Sequence, residues 1–121
     1  MKKLIVVAAG IAVLTPAGLA SARTAPTAHA AATTNISVSG KEFSFRLSKT
    51  SIAKPGTVVF TFKNAGTMKH DFSIGGKKTA LIGPHKSAKV TVTFHKKGRF
   101  PYLCTVPGHA QAGMKGTFTV K

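Results

Sequence analysis

From Asn35 onward, apolar and polar residues alternate with a period of two, the spacing at which successive side chains of a β-strand fall on opposite faces. Ile36 and Val38 alternate with Ser37 and Ser39, and Phe43, Phe45 and Leu47 with Ser44, Arg46 and Ser48. Val58, Phe60 and Phe62 alternate with Val59, Thr61 and Lys63, and Val90, Val92 and Phe94 with Lys89, Thr91 and Thr93. Phe118 and Val120 close the series between Thr117, Thr119 and Lys121. Each run predicts a strand with one buried and one wet face, the pattern of antiparallel sheets. Turn residues separate the runs: Lys54-Pro55-Gly56, Asn64-Ala65-Gly66, Gly75-Gly76, Gly83-Pro84 and Lys97-Gly98. Shorter strands are predicted at 71–74, 78–82 and 99–104. Seven or eight short strands at this spacing predict an all-β Greek-key sandwich or barrel. No internal repeat and no long amphipathic helix interrupts the pattern.

The first third of the chain reads differently. Lys2 and Lys3 precede an apolar run from Leu4 to Leu14, which Pro16 breaks, and Ala20-Ser21-Ala22 offers small residues for cleavage. This predicts a secretory signal peptide over 1–22, with a second possible cut after Ala30. The run is too short to span a bilayer comfortably, so no transmembrane segment is expected after cleavage. The Ala-, Thr- and Pro-rich stretch 23–34 is expected to be a flexible leader, and 35–121 the folded domain. The protein is therefore expected to be exported, to a periplasm, a cell surface or the medium.

Composition sharpens this picture in two ways. A domain of this size buries only about 60–65% of its unfolded surface, and small exported domains commonly add disulfides or a metal. The chain has a single cysteine, which rules out an internal disulfide and leaves Cys104 needing another purpose. The charge is lopsided: 18 Lys and Arg against two acids, Glu42 and Asp71, a formal net charge of +16. Such a surface favours acidic partners and fast electrostatic capture. The basic residues are scattered, with no helix-turn-helix, aromatic RNA-binding motif or zinc-finger spacing, so nucleic acid is not the expected partner.

The chemistry lies in Cys104-Thr105-Val106-Pro107-Gly108-His109-Ala110-Gln111-Ala112-Gly113-Met114, which spaces Cys, His and Met at intervals of five ahead of the last strand. A second segment, Asn64-Ala65-Gly66-Thr67-Met68-Lys69-His70-Asp71, puts a histidine at the start of a strand. A thiolate and two imidazoles in a plane with a weak axial thioether form the electron-transfer set for copper. His70, Cys104, His109 and Met114 are the candidate ligands. Met68, two residues before His70, is a rival sulfur ranked behind Met114. His85 and His95 have no partners at ligand spacing and are expected on the surface.

At these residues the sequence resembles the cupredoxins, the blue-copper proteins. The loop from Cys104 through Pro107, Gly108 and His109 to Met114-Lys115-Gly116 is similar to that of the azurin and auracyanin branch, whereas the mature length is closer to plastocyanin. The resemblance covers roughly Asn35 to Lys121. It implies one type 1 copper ion, with His70 as the upstream ligand, Cys104 as thiolate, His109 as the exposed histidine and electron port, and Met114 on the axis. It also implies that Pro107, Ala110 and Ala112 form a docking patch. Asn64, Asp71 and Thr105 are expected around the ligands. Many members carry Asn where this chain has Asp71. Asp71 is expected to tie the two ligand loops together, and its charge to lower the reduction potential, with Lys69 as a counterweight.

The resulting expectation is a monomeric one-electron shuttle acting with redox proteins that present acidic docking surfaces. The same ligands would also serve extracytoplasmic copper storage or delivery. An enzyme is disfavoured. Copper oxidases and nitrite reductases need further sites built on His-x-His pairs, and a dinuclear copper centre needs two cysteines. A cationic binding module without metal would leave the Cys-His-Met spacing to chance.

Overall fold

The structure is a computed structural model that describes residues 33–121 together with Gly10 and Gly18. Apart from those two glycines, the expected signal peptide and all but the end of the expected leader lie outside the described residues. Nine strands follow in chain order: β1 (Thr34–Lys41), β2 (Ser44–Leu47), β3 (Ser51–Ile52), β4 (Gly56–Asn64), β5 (Ser73–Ile74), β6 (Lys77–Lys78), β7 (Ser87–Phe94), β8 (Gly98–Leu103) and β9 (Lys115–Val120). They form two sheets, ordered β2-β1-β4-β7 and β3-β9-β8-β5-β6, packed as an all-β sandwich. No helix among the described residues is long and apolar enough to cross a membrane.

The period-two runs become the buried faces. Ile36 and Val38 of β1, Val58, Phe60 and Phe62 of β4, Val90, Val92 and Phe94 of β7, and Phe118 and Val120 of β9 all enter one core. Phe72 sits at its centre, with ring centroids 5.2 Å from Phe45, 5.3 Å from Phe60 and 5.5 Å from Tyr102. Packed rings are the main stabilising mass here, because each takes on the order of 150–250 Å² out of water.

Two expectations need correction. The sheets are mixed, not antiparallel: β1 runs parallel to β4 and β3 parallel to β9. Alternation reports which face is buried and carries no information on strand direction, since period two is common to both pairings. The strand expected over 78–82 is also shorter. The buried Thr79 hydroxyl accepts from Phe72 N–H and donates to Ala80 O, both at 3.0 Å, which takes this stretch out of the ladder. Pairing resumes only as an isolated bridge, in which His70 and Ile82 exchange both backbone bonds.

Candidate metal centre

Ladder geometry places both sulfurs at one end of the core. Phe100 of β8 opposes Phe118 of β9, and Tyr102 opposes Gly116. One step further, Cys104 N–H donates to Met114 O at 3.1 Å. Cys104 and Met114 thus continue the inward rows of the two strands beyond their ends, and both are buried. Between them the chain coils back on itself: His109 N–H donates to Val106 O and Met114 N–H to His109 O. Gly108 (φ 85°) and Gly113 (φ 116°) adopt the left-handed backbone this coil requires. The coil turns His109 inward toward the cysteine five residues before it.

His70 arrives from the opposite side on the bridge to Ile82, and Asn64 builds the loop that presents it. The Asn64 side chain is fully buried. It donates to Met68 O at 2.8 Å and to Ile82 O at 2.9 Å, and accepts from Gly66 N–H at 2.9 Å.

The donor atoms then converge. The two Nδ1 atoms are 3.1 Å apart, and Cys104 Sγ lies 3.6 Å from Nδ1 of His109 and 3.9 Å from Nδ1 of His70. A point equidistant from all three lies about 2 Å from each, which suits a metal–nitrogen bond and is slightly short for metal–sulfur. Among the described residues this is the one group of His, Cys, Asp or Glu donors close enough to share an ion. With the buried Met114 beside it, the set is arranged as a type 1 copper site, and soft sulfur with imidazole suits copper in both oxidation states.

Without metal, the surroundings of Cys104 favour the protonated thiol over the thiolate. Burial pushes the Cys104 thiol up, opposed by the backbone N–H groups of Asp71 and Val106 that bond its sulfur. The metal-free thiol is therefore protonated at neutral pH, and metal binding must release that proton.

Both carboxylates of the chain stand at this site. Asp71 accepts from Thr105 N–H at 2.7 Å and from the Thr105 hydroxyl, joining the His70 segment to the residue after the cysteine. Glu42 accepts from Thr67 N–H and Met68 N–H at 2.7 Å each, and from His70 Nε2 at 2.9 Å. These contacts, the Met68 N–H foremost and His70 next, lower the Glu42 pKa from an ordinary 4.5 to about 2. Because the folded value is the depressed one, the unfolded chain binds more protons between these limits. The Glu42 contribution to stability is expected to be complete above pH 4.5 and to fade as pH falls toward about 2. Thermal unfolding of metal-free wild type and Glu42→Gln should thus differ near neutrality and converge near pH 2. A constant gap across that range would contradict it.

The structure changes the expected surface. His109, expected to be exposed, is only 4% exposed. Phe43 covers it, ring centroids 5.0 Å apart and planes at 68°. Phe43 in turn is 39% exposed rather than part of the inward row, because it stands in the β1–β2 turn above the site. Of the expected docking residues, Pro107 and Ala112 are exposed and Ala110 is half-buried. Met68 is 45% exposed and reaches the site only through its backbone. Lys69, His85 and His95 are exposed. Sequence reasoning missed Glu42 and Phe43 as site residues. The available signal was the rarity of acids: in so basic a chain, each carboxylate that remains marks a place where a cation or an N–H needs one.

Comparison with known proteins agrees with this geometry. The family model of the cupredoxin-like domain matches residues 7–120. The copper-resistant cuproprotein CopI of Pseudomonas aeruginosa is 46% identical over 54 residues, 45% of this chain and 28% of that protein. Auracyanin-B of Chloroflexus aurantiacus is 48% identical over 42 residues, 35% of this chain and 18% of that protein. The alignments thus span under a third of either curated relative. Among solved structures, reduced auracyanin from Roseiflexus castenholzii superposes with a TM-score of 0.60 at 27% identity, covering 76% of this chain and 98% of that one.

Proposed function

The chain belongs to the cupredoxin-like family, and from that premise we propose that it is an exported one-electron carrier holding a single type 1 copper ion on His70, Cys104, His109 and Met114. The observation that carries this reading is the convergence of a buried thiol and two Nδ1 atoms within 3.9 Å of one another. Copper bound there would supply a Cu(II)/Cu(I) couple at a site whose ligands fit both states.

The residues of the chain do the rest. Burial of all four side chains excludes water. The Asp71–Thr105 bonds tie the two ligand loops together and the Asn64 network braces the His70 loop, so little rearranges when an electron arrives. Partners approach at the apolar end, over Phe43, Pro107, Ala110 and Ala112. Acidic partners are favoured, because the two carboxylates are engaged at the site and the remaining formal charges are positive.

The test is optical. Purified chain given Cu(II) is expected to show an intense blue band and an unusually narrow copper hyperfine splitting. Ordinary Cu(II) signals without colour would overturn the reading. Met114→Gln is expected to keep the colour and to shift preference toward Cu(II) by about tenfold or more, a fall of about 59 mV in a redox titration.

The similarity to a copper-resistant cuproprotein favours a second reading, extracytoplasmic copper storage or delivery. Exchange separates the two: a shuttle keeps its copper through many redox cycles in the presence of a chelating acceptor, and a delivery protein loses it.

A further inference from the structure

We propose that Glu42 is the positioning residue that sets the tautomer of His70 and holds the reduction potential of the site down; this rests on the copper reading above. His70 has two ring nitrogens with different tasks. Nδ1 faces Nδ1 of His109 and Sγ of Cys104, while Nε2 lies 2.9 Å from the Glu42 carboxylate. An ionised carboxylate only accepts, so Nε2 must carry the hydrogen and Nδ1 is left with its lone pair toward the donor cluster. A carboxylate behind a ligating histidine raises the basicity of the imidazole and fixes the plane of its ring. A more basic ligand, with a full negative charge behind it, favours Cu(II) over Cu(I).

Glu42 is built into place. The Thr67 and Met68 N–H groups each bond the same Oε1 that meets His70, so the carboxylate is held by two backbone donors and the imidazole at once. Its side chain is 24% exposed, whereas that of His70 is fully buried, so the contact is shielded on the side that matters. Room for it exists because residue 66 is glycine: a Cβ there would fall on the Glu42 carboxylate. Gly66 is not in the left-handed region, so alanine is compatible with its backbone, and the nearest atoms its Cβ would meet are those of the Glu42 carboxylate. The same short turn places Phe43 against His109, so adjacent residues address the two histidines, one by a hydrogen bond and the other by a ring edge.

Two variants separate charge from position. Glu42→Gln keeps an acceptor oxygen and removes the charge, whereas Gly66→Ala keeps the charge and moves it. Both are expected to bind copper, remain blue and shift preference toward Cu(I) by about tenfold, a rise of about 59 mV in a redox titration. In the metal-free full chain, nitrogen-15 NMR is expected to show His70 protonated at Nε2 with a slowly exchanging hydrogen, and Glu42→Ala is expected to abolish that protection. Unchanged potentials in both blue variants would overturn the inference, as would a His70 Nε2–H signal untouched by Glu42→Ala. A wild-type chain that never turns blue would sink the carrier reading. The metal-free spectra would still decide the Glu42–His70 contact, through loss or persistence of the protected hydrogen.

Discussion

Cys104→Ser is expected to abolish the blue colour completely while leaving a folded protein. The colour requires a thiolate on copper, and a serine hydroxyl does not ionise at neutral pH to replace it. Serine also removes the soft ligand that suits Cu(I), so redox cycling should fail together with the spectrum. The fold should survive for a local reason. Cys104 is anchored by its backbone bond to Met114 O, which the substitution leaves alone. A buried hydroxyl costs on the order of 1–3 kcal/mol when unpaired, and the Asp71 and Val106 N–H groups that bond Sγ remain to bond Oγ. Visible absorption after Cu(II) addition, read beside a urea melt of the metal-free protein, checks both halves. Full colour in the serine variant would sink the assignment of Cys104. An unfolded variant would show instead that the thiol is chiefly a packing element.

Phe72→Ala carries the largest expected loss of stability, about 3–5 kcal/mol. Phe72 is fully buried and its ring stands against Phe45, Phe60, Phe62 and Tyr102, bridging the two sheets. Those rings belong to strands paired along much of their length and cannot collapse far into the space left behind. Small domains hold only about 5–15 kcal/mol in total, so the metal-free variant should melt far below wild type. Copper binding only the native state restores stability in proportion to the logarithm of its excess over Kd. The loaded variant is therefore expected to rise toward the stability of metal-free wild type, while the gap to loaded wild type persists. Urea unfolding with and without copper measures it, and a loss below about 1 kcal/mol would mean that the core refills the cavity.

How much of this was legible in the sequence follows from the range of the forces involved. The strands of β1, β4, β7 and β9 were readable because burial of one face imprints a period of two on neighbouring residues. Cys104, His109 and Met114 were readable as a set because one tight loop delivers all three, so their spacing in the chain carries the geometry. His70 needed the added expectation that a second loop meets the first. Asp71 and Thr105 were expected near the ligands, and the structure joins them by two hydrogen bonds.

What escaped the sequence has long separations in common. Glu42 meets His70 across 28 positions, and Phe43 meets His109 across 66. No local pattern records such pairs. Phe43 even fitted the alternation of its neighbours, and was read as an inward residue although the turn before β2 lifts it over the copper loop. The direction of β1 beside β4 escaped for the same reason, since parallel and antiparallel strands share one side-chain period. By itself, then, the amino-acid order determined the strands, their buried faces and the donor types of one loop, all consequences of neighbours a few residues apart. Only the tertiary structure decided strand direction, the covering of His109 and the carboxylate behind His70, because each is a contact between distant segments that exists only once the two sheets have packed.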